Sequence, residues 1–291
     1  MEASPSQRIP VREHLGIALA QRMAEASEGF LTLGFNRFLD MRDMADSPVS
    51  QEAHGNFCIA VELMLKAYLC KVDPFLVFKE LTPEQAVKLA SKVDAQDAVI
   101  ERMVHDFLGD KVKTIEFERA IELFVRFQGN DGLSSRLRIM RRTRNASLHF
   151  FLPRFHGFEV ERAAFTALSV KQIVEQEPQL FPLSFGPDDR EKKFMDSYRQ
   201  EILDRVSAKL QAAQTRAATL SGRKGISKID DSAFIMTCLV CGNEGAANGR
   251  RDMQEGHDLF WIEDFACPEC GLQLEGDDEL RAAGMSTLEV W

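Results

Sequence analysis

Cys238-Leu239-Val240-Cys241-Gly242 and Cys267-Pro268-Glu269-Cys270-Gly271, joined through 25 residues (242–266), decide the architecture of the C-terminal part of this chain. Two cysteines separated by two residues can turn both sulfurs onto one ion. The glycine after each pair allows a tight turn that aims backbone N–H groups at the thiolates. Two such knuckles at this spacing are the pattern of a four-thiolate zinc site, one ion per chain, with Cys238, Cys241, Cys267 and Cys270 as ligands. Four protein ligands leave no open position for chemistry, so the expected zinc is structural. Strand-like runs precede each knuckle: Phe234-Ile235-Met236-Thr237 and Leu259-Phe260-Trp261-Ile262. The expectation is a small β-rich zinc ribbon over 231–291.

Composition bounds the remainder. A chain of 291 residues with 45% hydrophobic and 28% charged content fits one large and one small globular domain. No apolar run approaches the roughly 18–20 residues of a membrane span, and the first residues carry no basic-then-apolar signal pattern. Six cysteines, four of them in a metal pattern, fit a reducing compartment, and a cytoplasmic location is expected. Net charge is −9, but 231–291 alone holds 13 acids against 3 arginines, leaving 1–230 at +1. So acidic a ribbon should be repelled by phosphate backbones. It is expected to bind or sense a protein partner, not nucleic acid.

Residues 1–220 read as successive helices. The stretch 10–44 places Leu15, Leu19, Met23, Phe30, Leu33 and Phe38 at helical spacing. A helix expected to start near His54-Gly55-Asn56 continues through 57–69. It is apolar over most of its circumference, and therefore central. Glu62 and Lys66 stand four apart and can pair along it. Short helices are expected at 83–92, 94–108 and 114–128, then over 133–151, 159–175 and 188–220. The domain scheme is thus a helical domain over 1–187, a charged helical extension and basic linker over 188–230, and the ribbon. Phosphate-binding G-x-x-x-x-G-K-[ST], G-x-S-x-G and H-E-x-x-H motifs are absent from the sequence.

The remaining chemistry concentrates in 134–149, where Arg136, Arg138, Arg141, Arg142 and Arg144 occupy five of nine positions and His149 follows. Arginine offers a planar fork of donors to phosphate, and histidine shuttles protons near neutral pH. Arg142 and His149 are seven apart and share a helix face. Arg144 and His149 are five apart, roughly 140° around an ideal helix. Such a pairing suits RNA cleavage: the imidazole takes the 2′-hydroxyl proton or supplies one to the leaving oxygen, and a guanidinium stabilises charge on the phosphate. A solvated basic helix face is the plainer reading of the same residues.

The stretch Arg144-Asn145-Ala146-Ser147-Leu148-His149 resembles the Arg-x4-His motif of the HEPN superfamily, including its usual asparagine after the arginine. Ala60-Val61-Glu62-Leu63-Met64-Leu65-Lys66-Ala67-Tyr68-Leu69 is similar to an earlier buried helix of that family, whose acidic residue lies near the active site. The resemblance implies an all-α bundle, and a metal-independent endoribonuclease acting as a homodimer in which two motifs form one RNA cleft. It implies a toxin or anti-phage defence effector silenced by a partner. It assigns Arg144 to the scissile phosphate, His149 to acid/base work, Asn145 to orienting the pair, and Glu62 to a supporting place. Arg138, Arg141 and Arg142 are candidate RNA contacts, and Arg142, with six residues before His149, also satisfies the motif. The alternative is a non-catalytic adaptor of the same fold that binds RNA or protein through the arginine face.

Overall fold

A helix with apolar side chains on nearly every side must be buried by several neighbours, and α2 (Val49–Val72) organises the first unit for this reason. Phe57, Cys58, Val61, Met64, Leu65, Ala67, Leu69 and Cys70 are each at most 1% exposed. The structure is a computed structural model describing residues 11–41, 49–78, 114–128, 131–150, 157–177, 188–220, 233–254, 257–285 and 288–290. It is mostly helical, with a small antiparallel sheet and a four-cysteine cluster near its C-terminus. Its contacts divide it into two compact units, Met1–Glu191 and Lys192–Trp291.

In the first unit α2 packs against α1 (Val11–Met41), α3 (Phe117–Gln128), α4 (Asp131–Phe150) and α5 (Gly157–Glu175). The α1–α2 pairing is the most extensive, and it is antiparallel and close. A Cβ at Gly16 would sit 2.7 Å from the carbonyl oxygen of Cys70, and one at Gly34 would sit 3.0 Å from the Phe57 ring. Glycine at both positions is what lets the two backbones approach. The buried stripe of α1 is Leu19, Met23, Leu31, Phe35 and Phe38; Leu33, expected on it, is 54% exposed. Leu33 lies two residues from both Leu31 and Phe35, about 200° around the helix from each.

α2 begins at Val49, earlier than the expected start near His54, and Gly55 lies inside it. Packing along α1 outweighs the roughly 1 kcal/mol penalty of an internal glycine, and Glu52 complements the positive helix N-terminus. The expected helices at 83–92 and 94–108 and the linker at 221–227 lie outside the described residues. α3 buries Phe117, Ala120, Ile121 and Phe124 at i, i+3, i+4 and i+7, with Phe124 edge-on to Tyr68 at 5.1 Å. α4 buries Leu133, Leu137 and Met140 by the same rule.

The second unit contains α6 (Asp189–Ala217) from Lys192 onward, so the segment expected as an extension groups with the ribbon. The ribbon is a five-stranded antiparallel sheet. β1 (Ala233–Thr237), β2 (Glu244–Gln254), β3 (His257–Ala266) and β4 (Gln273–Glu275) run in spatial order, and β5 (Leu288–Val290) also pairs with β3. A short helix, α7 (Gly276–Ala282), follows β4. Phe260, Trp261, Ile262, Phe265, Leu272, Leu274 and Leu280 form its core.

Lys171 of α5, 3% exposed, draws three carboxylates together: Glu28 of α1 at 3.0 Å, Glu191 at 3.2 Å and Glu175 at 3.9 Å. Burial, opposed by the Lys171 charge and aided less strongly by Glu28 and Glu191, pushes Glu175 up from 4.5 to about 7. The folded protein therefore holds this proton more tightly than the unfolded chain. The stability it contributes is fully present below about pH 4.5 and is lost as pH rises through about 7. His54 acts in the opposite sense: burial lowers it from 6.5 to about 4, so its contribution is lost as pH falls across that range. Glu175→Gln should therefore abolish the Glu175 component, gaining stability relative to wild type between pH 4.5 and 7 by about 2–3 kcal/mol. Thermal melts of both proteins at pH 4–8 check this; a constant offset across the range would contradict it.

Candidate functional site

The four cysteines are assembled by two matching turns. After β1, Cys238 N–H donates to Asn243 O at 2.7 Å and Gly242 N–H to Cys238 O at 3.0 Å. After β3, Cys267 N–H donates to Leu272 O at 2.8 Å and Gly271 N–H to Cys267 O at 2.9 Å. Gly242 and Gly271 both sit at φ +68°, a left-handed conformation that a side chain would strain. Because β1, β2 and β3 are neighbours, the turns face each other. The Cys238–Cys270 and Cys241–Cys267 sulfurs are each 3.6 Å apart, and all four lie within 4.8 Å of one another. These separations exceed the roughly 2.05 Å of a disulfide, so the group is four free thiols that can hold one metal ion. Burial raises the Cys270 thiol, so its ionised form would need a cation beside it.

The acidity of the ribbon is partly spent inside the unit. Asp277, Asp278 and Glu279 of α7 are buried, and burying carboxylates is unfavourable unless donors meet them. α6 supplies those donors. Tyr198 Oη donates to Asp278 at 3.1 Å, Lys209 Nζ to Glu279 at 2.6 Å, and Arg205 lies 3.6 Å from the other Glu279 oxygen. Glu279 also accepts from the backbone N–H of Glu275, and Arg281 holds Asp277. The Arg216 guanidinium lies against the second knuckle, where a Cβ at Gly271 would be 2.0 Å from Nη1. Counted over the structural units, net charge is −4 for 1–191 and −5 for 192–291, because the −10 of 231–291 is offset within its own unit by the +5 of 192–230.

On the first unit, α4 carries the arginine series. Arg144 continues the Leu133-Leu137-Met140 face by a further turn and is therefore directed at α2 instead of solvent. Its Nη2 lies 3.1 Å from Glu62 Oε2, and its guanidinium is 5.6 Å from the Phe117 ring centre. The opposite Glu62 oxygen accepts from Lys66 Nζ at 2.6 Å, and Lys66 also donates to Thr114 Oγ1 at 3.0 Å. Arg141 pairs with Glu118 of α3. These groups and Asn145 line a cleft of about 340 Å³. Arg142 and Asn145 are exposed and Arg138 is half-buried. α4 runs unbroken through His149, whose side chain lies outside the described residues.

The structure thus brings Glu62, Arg141, Arg144 and Asn145 to one cleft and leaves Arg138 and Arg142 without a place in it. Lys66 was legible as a partner of Glu62, but its place in the cleft was not. Thr114, 48 residues further along, gave no signal at all. No family model, curated protein or solved structure matches the chain. Among the described residues, no helix is long and apolar enough to cross a membrane.

Two measurements check the second unit. Replacing Cys267 with serine should abolish stoichiometric metal binding and red-shift the emission of Trp261, which is 5% exposed in the folded ribbon. Glu279→Gln should lower unfolding stability by about 1–3 kcal/mol, because it strands Lys209 and Arg205, both only part-exposed. Unchanged metal content in the first variant, or an unchanged midpoint in the second, would contradict these assignments.

Proposed function

We propose that the helical unit is a metal-independent endoribonuclease of HEPN type and that the cysteine cluster holds one structural zinc. The observation that carries the nuclease reading is the Arg144–Glu62 contact at 3.1 Å. It joins the two stretches, 82 residues apart, on which the resemblance rests. In this reading His149 moves the proton to or from the ribose and leaving oxygens, and a guanidinium opposes the charge that develops on the phosphate. Arg144, anchored by Glu62 and oriented with Asn145, is one source of that guanidinium. The exposed Arg142 is the other, since positions 142, 145 and 149 fall within about 60° of helical phase along α4. Arg138 and Arg141 contact flanking phosphates. The active form is a homodimer, and the cellular role is that of a toxin or defence effector located in the cytoplasm. The ribbon serves partner binding or regulation.

Zinc is supported by the sulfur geometry. A tetrahedral ion with bonds of about 2.3 Å places its sulfurs roughly 3.8 Å apart, against the 3.6 Å pairs and 4.8 Å maximum here. Bound zinc would lock the two turns together and would not take part in cleavage. The adaptor reading has one observation in its favour: Arg141 and Arg144 are already engaged by Glu118 and Glu62.

Cleavage of total tRNA by wild type and His149→Ala, with a chelator and a zinc-loaded control, separates these readings. The nuclease should cut in both conditions, leave 2′,3′-cyclic or 3′-phosphate ends, and lose roughly 100-fold or more activity without the imidazole. Equal cleavage by both proteins would remove His149 from the mechanism. RNA binding with no cleavage by either would favour the adaptor.

A further inference from the structure

Glu62 is a single carboxylate serving two cations. Its Oε1 accepts from Lys66 Nζ at 2.6 Å and its Oε2 faces Arg144 Nη2 at 3.1 Å. Both cations are fixed from behind: Lys66 donates to Thr114 at 3.0 Å, and the Arg144 guanidinium stands over Phe117 at 5.6 Å. All three charged side chains line the wall of the 340 Å³ cleft, and none is more than 28% exposed. Glu116 and Glu118 also line this cleft, with Glu118 taken up by Arg141.

A planar pair of oxygens bridging an ammonium and a guanidinium is the arrangement that two oxygens of a phosphate adopt between lysine and arginine. We propose that Lys66 and Arg144 form a phosphate-binding site, which Glu62 fills in the resting protein as an internal stand-in for the anion. A phosphate group entering from the cleft displaces the Glu62 carboxylate into the solvent-filled part of the cleft and takes over both cations. The site is therefore closed to weak anions and opens to those carrying more charge than one carboxylate. Thr114 and Phe117 hold the cations in place while Glu62 leaves, so the site is ready-made. This deepens the nuclease reading by giving its Arg144 a gate, and it rests on α4 being a phosphate-facing helix.

The test uses the full chain, with inorganic phosphate and a short non-cleavable oligoribonucleotide as separate probes in calorimetric titrations. Glu62→Gln, which keeps the shape and removes the charge, should bind phosphate about tenfold more tightly than wild type or better. Adding Lys66→Met should cancel the gain. Tightening for both probes assigns the site to the RNA backbone, and tightening for phosphate alone assigns it to a free anion. Should Glu62→Gln fail to fold, Glu62→Asp, too short to span both cations, should show a smaller gain. Folded variants that bind phosphate no better than wild type would overturn the proposal. A gain in a protein whose wild type never cleaves RNA would leave this site standing without the nuclease. No gain, alongside His149-dependent cleavage, would do the reverse.

Discussion

The Glu62 carboxylate, held between Lys66 on its own helix and Arg144 on α4, is the polar contact around which the first unit is arranged. α2 is otherwise apolar on nearly every side, so a carboxylate there is tolerable only with strong donors on both oxygens. The Arg144 donor acts together with the buried Leu133, Leu137 and Met140 in setting the phase of α4 about its own axis. That phase carries Arg142 and Asn145 to the open side of the helix. Lys66 in turn reaches Thr114, whose backbone bridges to Phe78 and leads into α3. One part-buried acid thus ties α2 to α4 and, through Lys66, to the segment that leads into α3.

The second unit solves a similar problem by other means. A ribbon this small has few apolar residues to bury, and its four clustered cysteines could hold a metal ion, which would close two chain turns that the sheet alone would hold weakly. The ribbon also takes α6 as a wall, with Tyr198, Arg205 and Lys209 meeting the buried acids of α7. An acidic run that looks like exposed surface is thereby turned into packing.

How far the sequence reached differs between elements, for physical reasons. The four-cysteine cluster was legible because C-x-x-C spacing alone can turn two thiols toward one point. The central place of α2 was legible because no face of 57–69 is polar. β2 was not: Glu244–Gln254 holds glycine, asparagine, arginine and aspartate where β-branched residues would signal a strand, and it is extended because β1 and β3 pair with it on both sides. The burial of Asp278 and Glu279 was equally hidden, since their partners come from 70–80 residues earlier. Glu62 and Arg144 could be singled out separately from the resemblance, yet their contact across 82 residues follows only from how α2 and α4 pack.

A double-mutant cycle between Glu62 and Arg144, read by denaturant unfolding of Glu62→Gln, Arg144→Met and the double variant, tests the central contact directly. Mutual dependence of the two groups predicts a coupling energy of about 1–3 kcal/mol, with Arg144→Met nearly harmless once Glu62→Gln is made. Strictly additive effects would mean that Glu62 does not hold Arg144, and the arrangement of α4 would need another cause.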